Sequence, residues 1–204
     1  MRAVVLGTGV LGLVLYGIAT AQQQIPIRIE DFVLPSTDGV TQVKDPVAPL
    51  TFKLPPGWQL RGGVRWGNYE TTLSLAKASS DLTASLYYQY PLETTRSSDP
   101  DIALQGFIQS KVRQRRDREG LRDYAIREAT VQRRTVAGRP ALSFFADYTG
   151  ATRVPMVEYV LRLMGASIKA HVFITAPATL NIAPFAKEVD AILESLQIPE
   201  FPAR

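Results

Sequence analysis

The residues whose types suit chemistry are one histidine and a few carboxylates in the second half of the chain. His171 is the only histidine among 204 residues, and cysteine is absent. A catalytic triad, a Cys/His pair or a multi-histidine metal site needs partners that this sequence lacks. We therefore interpret His171 as a structural residue, because a lone ionisable residue is weak evidence of a site.

The two carboxylates best placed to act together are Asp147 and Glu158. If they lie on neighbouring strands, they suit acid–base work on a glycoside. We expect instead that they form salt bridges with partners such as Arg153 and Arg162, because ion pairs in proteins are often structural. The sequence therefore predicts no catalytic residue, no cofactor and no metal site.

A run of cations begins in the middle of the chain: Lys111, Arg113, Arg115, Arg116, Arg118, Arg122, Arg127, Arg133 and Arg134. Helical spacing places Lys111 and Arg115 near an apolar stripe, so we expect their stems to cover the core and their charges to reach water. Arg113 and Arg116 point away from that stripe. They either match the dipole at a solvated helix end or form a patch for an acidic partner or anionic lipid head groups.

A second candidate surface is rich in aromatic residues: Trp66, Tyr69, Tyr87, Tyr88 and Tyr90. Rings that are exposed together form a binding surface, whereas buried rings belong to the core. Tyr88 and Tyr90 are therefore binding candidates beside Arg113 and Arg116.

Composition and charge exclude several classes of protein. Hydrophobic residues make up 46% and charged residues 21%, which are values of a globular domain rather than a disordered chain. The net charge of +4 is too small to indicate nucleic acid binding. Without cysteine, neither disulfides nor thiolate metal sites can form.

The N-terminal pattern predicts export. Arg2 precedes an almost wholly apolar run over 3–18, and an Ala-x-Ala site follows at 19–21. This pattern is typical of a secretory signal peptide over 1–21, cleaved between Ala21 and Gln22. The alternative is an uncleaved membrane anchor, although the run is shorter than the ~20 residues of a membrane span. A cysteine-free exported chain suits the periplasm or the outer surface of a bacterium.

Mass spectrometry of the exported protein tests the signal peptide. We expect the mature chain to begin at Gln22, because the small residues at 19 and 21 suit signal cleavage. An intact Met1 on a membrane-bound product would instead establish the anchor.

The sheet is organised around a short stretch over 50–58. Leu50, Phe52 and Leu54 alternate with polar residues, which is the period of a half-buried strand. Two prolines then end the pairing, and Gly57 supplies the positive φ that a type II turn requires. Trp58 follows, and we expect its ring to anchor the core.

Hydrophobic periodicity predicts the elements of the middle of the chain. Gly62 and Gly63 predict a break, followed by a connector over 64–68. Alternation over 71–76 and 82–92 predicts a hairpin. A helix then begins near Pro100, carries Leu104, Phe107, Ile108 and Val112 on its buried stripe, and stops at Gly120.

The last third of the chain is predicted as strands followed by a helix. The strand over 125–136 is mixed in polarity and is expected near an edge, whereas 141–148 and 157–164 are apolar on both faces and are expected at the centre. A strand over 168–175 follows a hairpin turn, and a C-terminal helix begins at Asn181. Together these elements predict an α+β fold, a twisted antiparallel sheet with a mid-chain helix and a C-terminal helix packed on it.

These elements divide the chain into four parts. They are a signal peptide over 1–21, an N-terminal linker and edge strand over 22–43, a single α+β domain over 44–199 and a tail over 200–204. The domain is long enough to build a core of its own.

Three sequence features resemble the PsbP-like fold, which is named for an extrinsic subunit of photosystem II. It is shared with a Ran-binding import factor and several bacterial envelope proteins. The features are the "F-x-x-P-x-G-W" pattern at 52–58, the "v-x-G-x-p-a" step at 136–141, and a closing hairpin over 158–175 with a helix after it. The resemblance covers about 44–199.

The resemblance implies a non-catalytic accessory or binding role, with partners that differ between members. We therefore expect an exported, non-enzymatic protein-interaction module of the bacterial envelope that binds an envelope protein or an anionic lipid surface. The alternative is a carrier that holds a small apolar ligand between sheet and helix. A closed apolar cavity would favour the carrier, and a polar cleft with clustered ionisable groups would favour an enzyme.

Overall fold

The computed structural model describes residues 24–35, 40–67, 70–78, 80, 82–90, 100–150, 152–165 and 167–198. The predicted signal peptide, its cleavage site at Ala21 and Gln22, Tyr69 and the tail over 200–204 lie outside these residues. Within the described part of the chain, no helix is long and apolar enough to cross a membrane.

The described residues form twelve strands and three α-helices. The strands of the first half are β1 (Gln24–Pro26), β2 (Val33–Leu34), β3 (Thr41–Lys44), β4 (Thr51–Leu54), β5 (Trp58–Trp66), β6 (Glu70–Lys77) and β7 (Thr83–Gln89). Those of the second half are β8 (Ala125–Ile126), β9 (Gln132–Val136), β10 (Arg139–Thr149), β11 (Pro155–Met164) and β12 (Lys169–Pro177). The helices are α1 (Ile29–Phe32), α2 (Pro100–Arg113) and α3 (Ala183–Glu194).

The main sheet is wholly antiparallel and has the order β1-β5-β6-β7-β12-β11-β10-β8, with β9 also paired to β10. A smaller sheet has the order β2-β3-β4. The mid-chain helix α2 contacts β10 and β11, while α3 contacts β12 and β4. This arrangement confirms the predicted α+β fold.

The two faces of the main sheet bury different clusters of side chains. On one face, Leu161 and Val172 join the larger core with residues of α3 and of the smaller sheet. On the other face, Phe144 and Val160 pack with Leu104 of α2. Because β10 and β11 are covered on both sides, the prediction that they are central and apolar is confirmed.

The stretch over 50–58 folds as the sequence predicts. Strand β4 ends before a turn in which Gly57 has φ +82°. Trp58 is 2% exposed and lies in the larger core, which confirms it as an anchor. Its indole donates a hydrogen bond of 2.7 Å to Glu188 of α3, so this ring ties the sheet to the C-terminal helix.

The break predicted at Gly62 and Gly63 is wrong. Strand β5 runs continuously through both glycines and pairs with β6, with a β-bulge between Leu60 and Gly62. A Cβ atom at Gly63 would lie 2.4 Å from the carbonyl oxygen of Thr72. The glycine therefore permits a close approach of two strands, which is the other role of glycine inside a strand.

The strand predicted over 125–136 is at the edge but is divided. A 3-10 turn over Glu128–Thr130 separates β8 from β9, and both strands pair with β10. The hydroxyl of Thr130 accepts a hydrogen bond of 2.9 Å from the backbone N–H of Phe145. The Thr130 hydroxyl thus replaces the backbone carbonyl that a continuous edge strand would offer to the N–H of Phe145.

Candidate functional site

A cleft lies between α2 and the part of the sheet that α2 leaves uncovered. It has a volume of about 760 Å³ and is open to solvent. Its helix side includes small residues at helical spacing, Ala103, Gly106 and Ser110, whose short side chains leave space between the helix and the sheet. A Cβ atom at Gly106 would meet nothing within 4 Å. The sequence of α2 thus packs one side of the helix on β10 and β11 and leaves a gap over β12, β7 and β6.

The floor of the cleft is a pair of stacked rings. His171 of β12 lies opposite Tyr87 of β7 in the antiparallel register. Their ring centroids are 4.7 Å apart and the ring planes differ by 21°. Phe107 of α2 approaches the His171 ring at 5.9 Å from the helix side. The cleft therefore has aromatic surfaces on its floor and at its inner end.

Glu158 is a buried carboxylate, 0% exposed, at the base of the cleft. It accepts hydrogen bonds from Lys111 Nζ at 3.2 Å, from the guanidinium of Arg115, and from the hydroxyl of Tyr124 at 2.6 Å. Arg115 also pairs with Glu119. Three donors thus satisfy the buried charge of Glu158, as a buried carboxylate requires.

A π-helical turn over Gln114–Arg118 follows α2 and sets the directions in which its arginine side chains point. Arg115 turns inward to Glu158, whereas the Nε of the next residue, Arg116, donates a hydrogen bond of 2.8 Å to the carbonyl oxygen of Tyr124. Such turns are rare and occur frequently at functional sites.

Arg162 of β11 is a shielded cation that contacts no carboxylate among the described residues. Its Nη1 lies 3.2 Å from Nδ1 of His171, and its guanidinium lies 4.5 Å from the centre of the Phe107 ring. Its Nε is inaccessible to solvent and has no hydrogen-bond partner within the described residues. Burial lowers the pKa of Arg162 to about 10, so the side chain is still charged at neutral pH.

The cleft as a whole carries more positive than negative charge. Its walls hold five cations: Lys111, Arg115, Arg118, Arg162 and Lys169. Three carboxylates oppose them, Glu70 and Glu119 in the walls and Glu158 beneath. Burial, and then the charge of Arg162, lowers the pKa of Lys169. The surplus of cations gives the cleft a positive potential, which attracts anions.

His171 is neutral in this setting. Burial, followed by the charges of Arg162, Lys111, Lys169 and Arg115, holds its pKa well below the ordinary value. Because arginine can only donate, Nδ1 of His171 accepts from Arg162, and the ring proton is on Nε2.

We expect this histidine to make stability depend on pH. Below about pH 6.5 His171 binds a proton in the unfolded chain but not in the folded chain. The free energy of unfolding therefore falls as pH drops. Between pH 7 and 5.5 the wild type should lose about 1 kcal/mol of unfolding free energy more than His171→Gln. Urea denaturation of both proteins across this range measures the difference, and parallel pH profiles would contradict a neutral His171.

Comparisons with known proteins identify the fold. No family model matches the sequence, and no curated protein matches it. The solution structure of a cyanobacterial PsbP (CyanoP) from Synechocystis sp. PCC 6803 superposes with a TM-score of 0.52 at 10% identity. The match covers 80% of this chain and 95% of that chain. The chain has a PsbP-like fold.

A second solved structure, of a protein from Bacteroides thetaiotaomicron VPI-5482, matches with a TM-score of 0.50 at 8% identity. The match covers 78% of this chain and 48% of that protein, so the PsbP-like chain spans about half of its length. At such low identity the likeness establishes the fold alone, and function must be argued from the cleft.

The PsbP-like fold places the predicted basic helix residues in two groups. Arg113 and Arg116 are exposed on the outer side of α2, away from the cleft, as the helical spacing predicted. The expectation that the charges of Lys111 and Arg115 reach water is wrong, since both point inward to Glu158. A binding role for Arg113 and Arg116 stays a prediction.

The aromatic candidates Tyr88 and Tyr90 are 2% and 1% exposed and belong to the larger core, so neither can offer its ring to a partner. Tyr88 donates a hydrogen bond of 2.5 Å to Asp45, which also pairs with Arg65. Their neighbour Tyr87 has the opposite parity in β7 and lines the cleft. A binding role for Tyr88 and Tyr90 is therefore wrong and the alternative of core residues is confirmed for both, while Tyr87 alone of these three tyrosines lines the cleft.

The carboxylate pair Asp147 and Glu158 does not form. Glu158 lies opposite Ala146 in the register, so Asp147 points to the other face of the sheet. Asp147 pairs with Arg127 at 2.6 Å, and Glu158 pairs with Lys111 and Arg115. The expectation of salt bridges is therefore confirmed, but Arg153 and Arg162 are not the partners.

Arg162 and Lys169 are the cleft residues that sequence reasoning missed as site residues. A signal was present, because Arg162 shares strand parity with Glu158, and Lys169 shares it with His171 and Phe173. Two strands that are otherwise apolar therefore carry charge on the same face. Ionisable residues at positions of one parity in a central strand indicate a face that is not packed as core.

Proposed function

We propose that the protein is a non-enzymatic binding module, exported to the bacterial envelope, that holds an anionic group of its partner in the cationic cleft. The observation that carries the proposal is Arg162, a shielded guanidinium that meets no carboxylate among the described residues. A buried cation is costly without a counter-charge and hydrogen-bond acceptors. An anion from outside the chain supplies both.

The cleft is prepared for this role before the partner arrives. Phe107 and His171 contact the guanidinium of Arg162 on two sides, so its position is fixed. A donor that is already in place loses little conformational entropy on binding. Arginine also offers a planar fork that suits an oxyanion.

An enzyme is the competing function, because the cleft is polar and contains clustered ionisable groups. General base catalysis needs a group that is free to accept a proton near its pKa. Glu158 and Glu119 are engaged by cations. Burial, and then the nearby charge of Glu70, raises the pKa of Tyr87. Burial, and then the charges of its cationic neighbours, keeps the pKa of His171 low, so it resists a further proton. The arrangement of the described residues favours binding over catalysis.

A carrier for a small apolar ligand is less well supported than an anion-binding module. The cavity between α2 and the sheet is open, and its lining includes five cations. An apolar molecule there would remove these charges from water without replacing their hydration. Export to the envelope is supported by the signal-peptide pattern and the lack of cysteine.

Anion titration followed by NMR tests the proposal, because the single histidine gives one assigned resonance at the floor of the cleft. Sulfate and citrate, added at constant ionic strength, should shift the His171 ring signal saturably in the wild type. Arg162→Met should weaken this binding about 10–100-fold, the effect of losing a hydrogen bond to a charged group.

The matched control is Arg113→Met, which removes the same charge from the outer side of α2 and should leave anion affinity unchanged. Equal weakening of anion binding by both variants would mean that the overall charge of the protein, and not the cleft, causes the effect. The absence of any saturable shift in the wild type would refute the proposal. A partner captured from envelope extract by the wild type and Arg113→Met, but not by Arg162→Met, would then be the physiological one.

A further inference from the structure

We infer that the anionic group is a phosphate monoester, borne by a small molecule whose flat organic part lies on the stacked rings of Tyr87 and His171. The inference rests on the proposed function and names the chemical class of the ligand. It is carried by the charge balance of the cleft, by the three donor side chains Arg162, His171 and Lys169, and by the shape of the floor.

The charge balance calls for a dianion. Glu158 and Glu119 are both used by the cations at the end of α2. Three cations remain, Arg118, Arg162 and Lys169, against the single carboxylate of Glu70, so the surplus is two positive charges. Within the described residues, neither Arg162 nor Lys169 forms an ion pair. A phosphate monoester carries about −1.5 to −2 charges at neutral pH and so matches two cations. A carboxylate or a sulfate ester carries one negative charge and leaves one of the cations uncompensated.

The donors that line this part of the cleft match an acceptor with three oxygens. Arg162 and His171 are cross-strand neighbours in β11 and β12, and Lys169 lies two residues before His171 on the same face. Since Nδ1 of His171 accepts from Arg162, its Nε2 carries a proton and is a third donor beside the two cations. A terminal phosphate group presents three strong acceptor oxygens, whereas a carboxylate presents two.

The floor and the helix side define the shape of the organic part. The rings of Tyr87 and His171 stack face to face with centroids 4.7 Å apart, so a flat group can extend this stack on one of its outer faces. Above them, Gly106 leaves space that a side chain would occupy. A flat group in this gap stacks on the rings in the manner of aromatic pairs. The volume of about 760 Å³ lies within the range of small-molecule sites.

Titration of the purified protein with matched probes tests each part of the inference. Phenyl phosphate and phenyl sulfate share one flat body and differ in charge, while inorganic phosphate lacks the body. We expect phenyl phosphate to shift the His171 signal and to bind at least about tenfold more tightly than either of the other two. Lys169→Met should remove most of the preference for phosphate over sulfate, and Arg162→Met should weaken both.

Gly106→Leu tests the position of the organic part, with Gly106→Ala as its control. The leucine should fill the gap, weaken phenyl phosphate and leave inorganic phosphate unchanged, whereas the alanine should change neither. Both substitutions suit a helix better than glycine does, so folding is not at risk. Equal binding of phenyl phosphate and inorganic phosphate would overturn the assignment of the flat part.

The results separate this inference from the proposed function. If sulfate and phosphate esters bind equally, the dianion is refuted and the anion-binding module stands. If no anion shifts the His171 signal, both fail. Phosphatidylcholine vesicles with and without phosphatidic acid distinguish the source of the phosphate. Binding that requires phosphatidic acid and is displaced by phenyl phosphate would assign a lipid head group, and its absence would assign a free small molecule.

Discussion

Replacing Glu158 with glutamine is expected to lower the free energy of unfolding by about 3–5 kcal/mol, the usual effect of removing one partner from a buried ion pair. The substitution preserves shape but leaves the charges of Lys111 and Arg115 without their shared counter-ion. Lys111 is itself buried, so its charge cannot turn to water without moving α2. Chemical denaturation with an unchanged m-value measures the loss.

A matched control is available on the neighbouring strand. Asp147→Asn breaks an ion pair with Arg127 whose side chains are 50% and 46% exposed, so its expected effect is at most about 1 kcal/mol. Adding Lys111→Met to Glu158→Gln should restore part of the lost stability, because it removes a buried charge that has no partner. A loss below about 1 kcal/mol for Glu158→Gln would mean that water reaches this cluster.

Replacing Trp58 with alanine should lower the free energy of unfolding by about 3–5 kcal/mol, the range for deleting a packed aromatic ring. The ring is 2% exposed and lies where β5, β6 and α3 meet. Trp58→Phe keeps the six-membered ring but removes the pyrrole part of the indole and, with it, the hydrogen bond to Glu188. We expect this variant to lose about 1–2 kcal/mol, because Glu188 is partly solvated.

Equilibrium denaturation of both tryptophan variants provides the measurement, and Trp66→Ala is the control because Trp66 is only half-buried. Its effect should be clearly smaller than that of Trp58→Ala. Equal effects at the two positions would mean that Trp58 is not the anchor of the larger core. A loss below about 1 kcal/mol at Trp58 would place its ring at the surface.

Local patterns predicted those parts of the fold whose causes are local. The turn at Gly57 follows from its own residue type, and the burial of Trp58 follows from strand parity. The strand through Gly62 and Gly63 was missed because its cause is distant. A glycine that ends a strand and a glycine that admits a neighbouring carbonyl look alike, and only the position of Thr72 separates them.

The cleft escaped prediction for a related reason. Helical spacing placed Lys111 and Arg115 near the buried side of α2, but the direction of their charges depends on Glu158, which is 43 residues from Arg115. A long cationic side chain reaches water in most settings, and a buried carboxylate reverses that preference. Arg162 was interpreted as the partner of a carboxylate because its own strand gives no sign that Glu158 is already satisfied.

The unequal cover of the two faces of the sheet has an evolutionary consequence. The face that packs on α3 and the smaller sheet holds most of the core, so substitutions there are removed by selection for folding. The face over β6, β7 and β12 carries side chains that line an open cleft and contribute little to that core. Residues at such positions can be substituted without loss of folding, so the ligand of the cleft can change while the fold stays the same. A fold shared with the cyanobacterial PsbP at 10% identity fits this difference between the two faces.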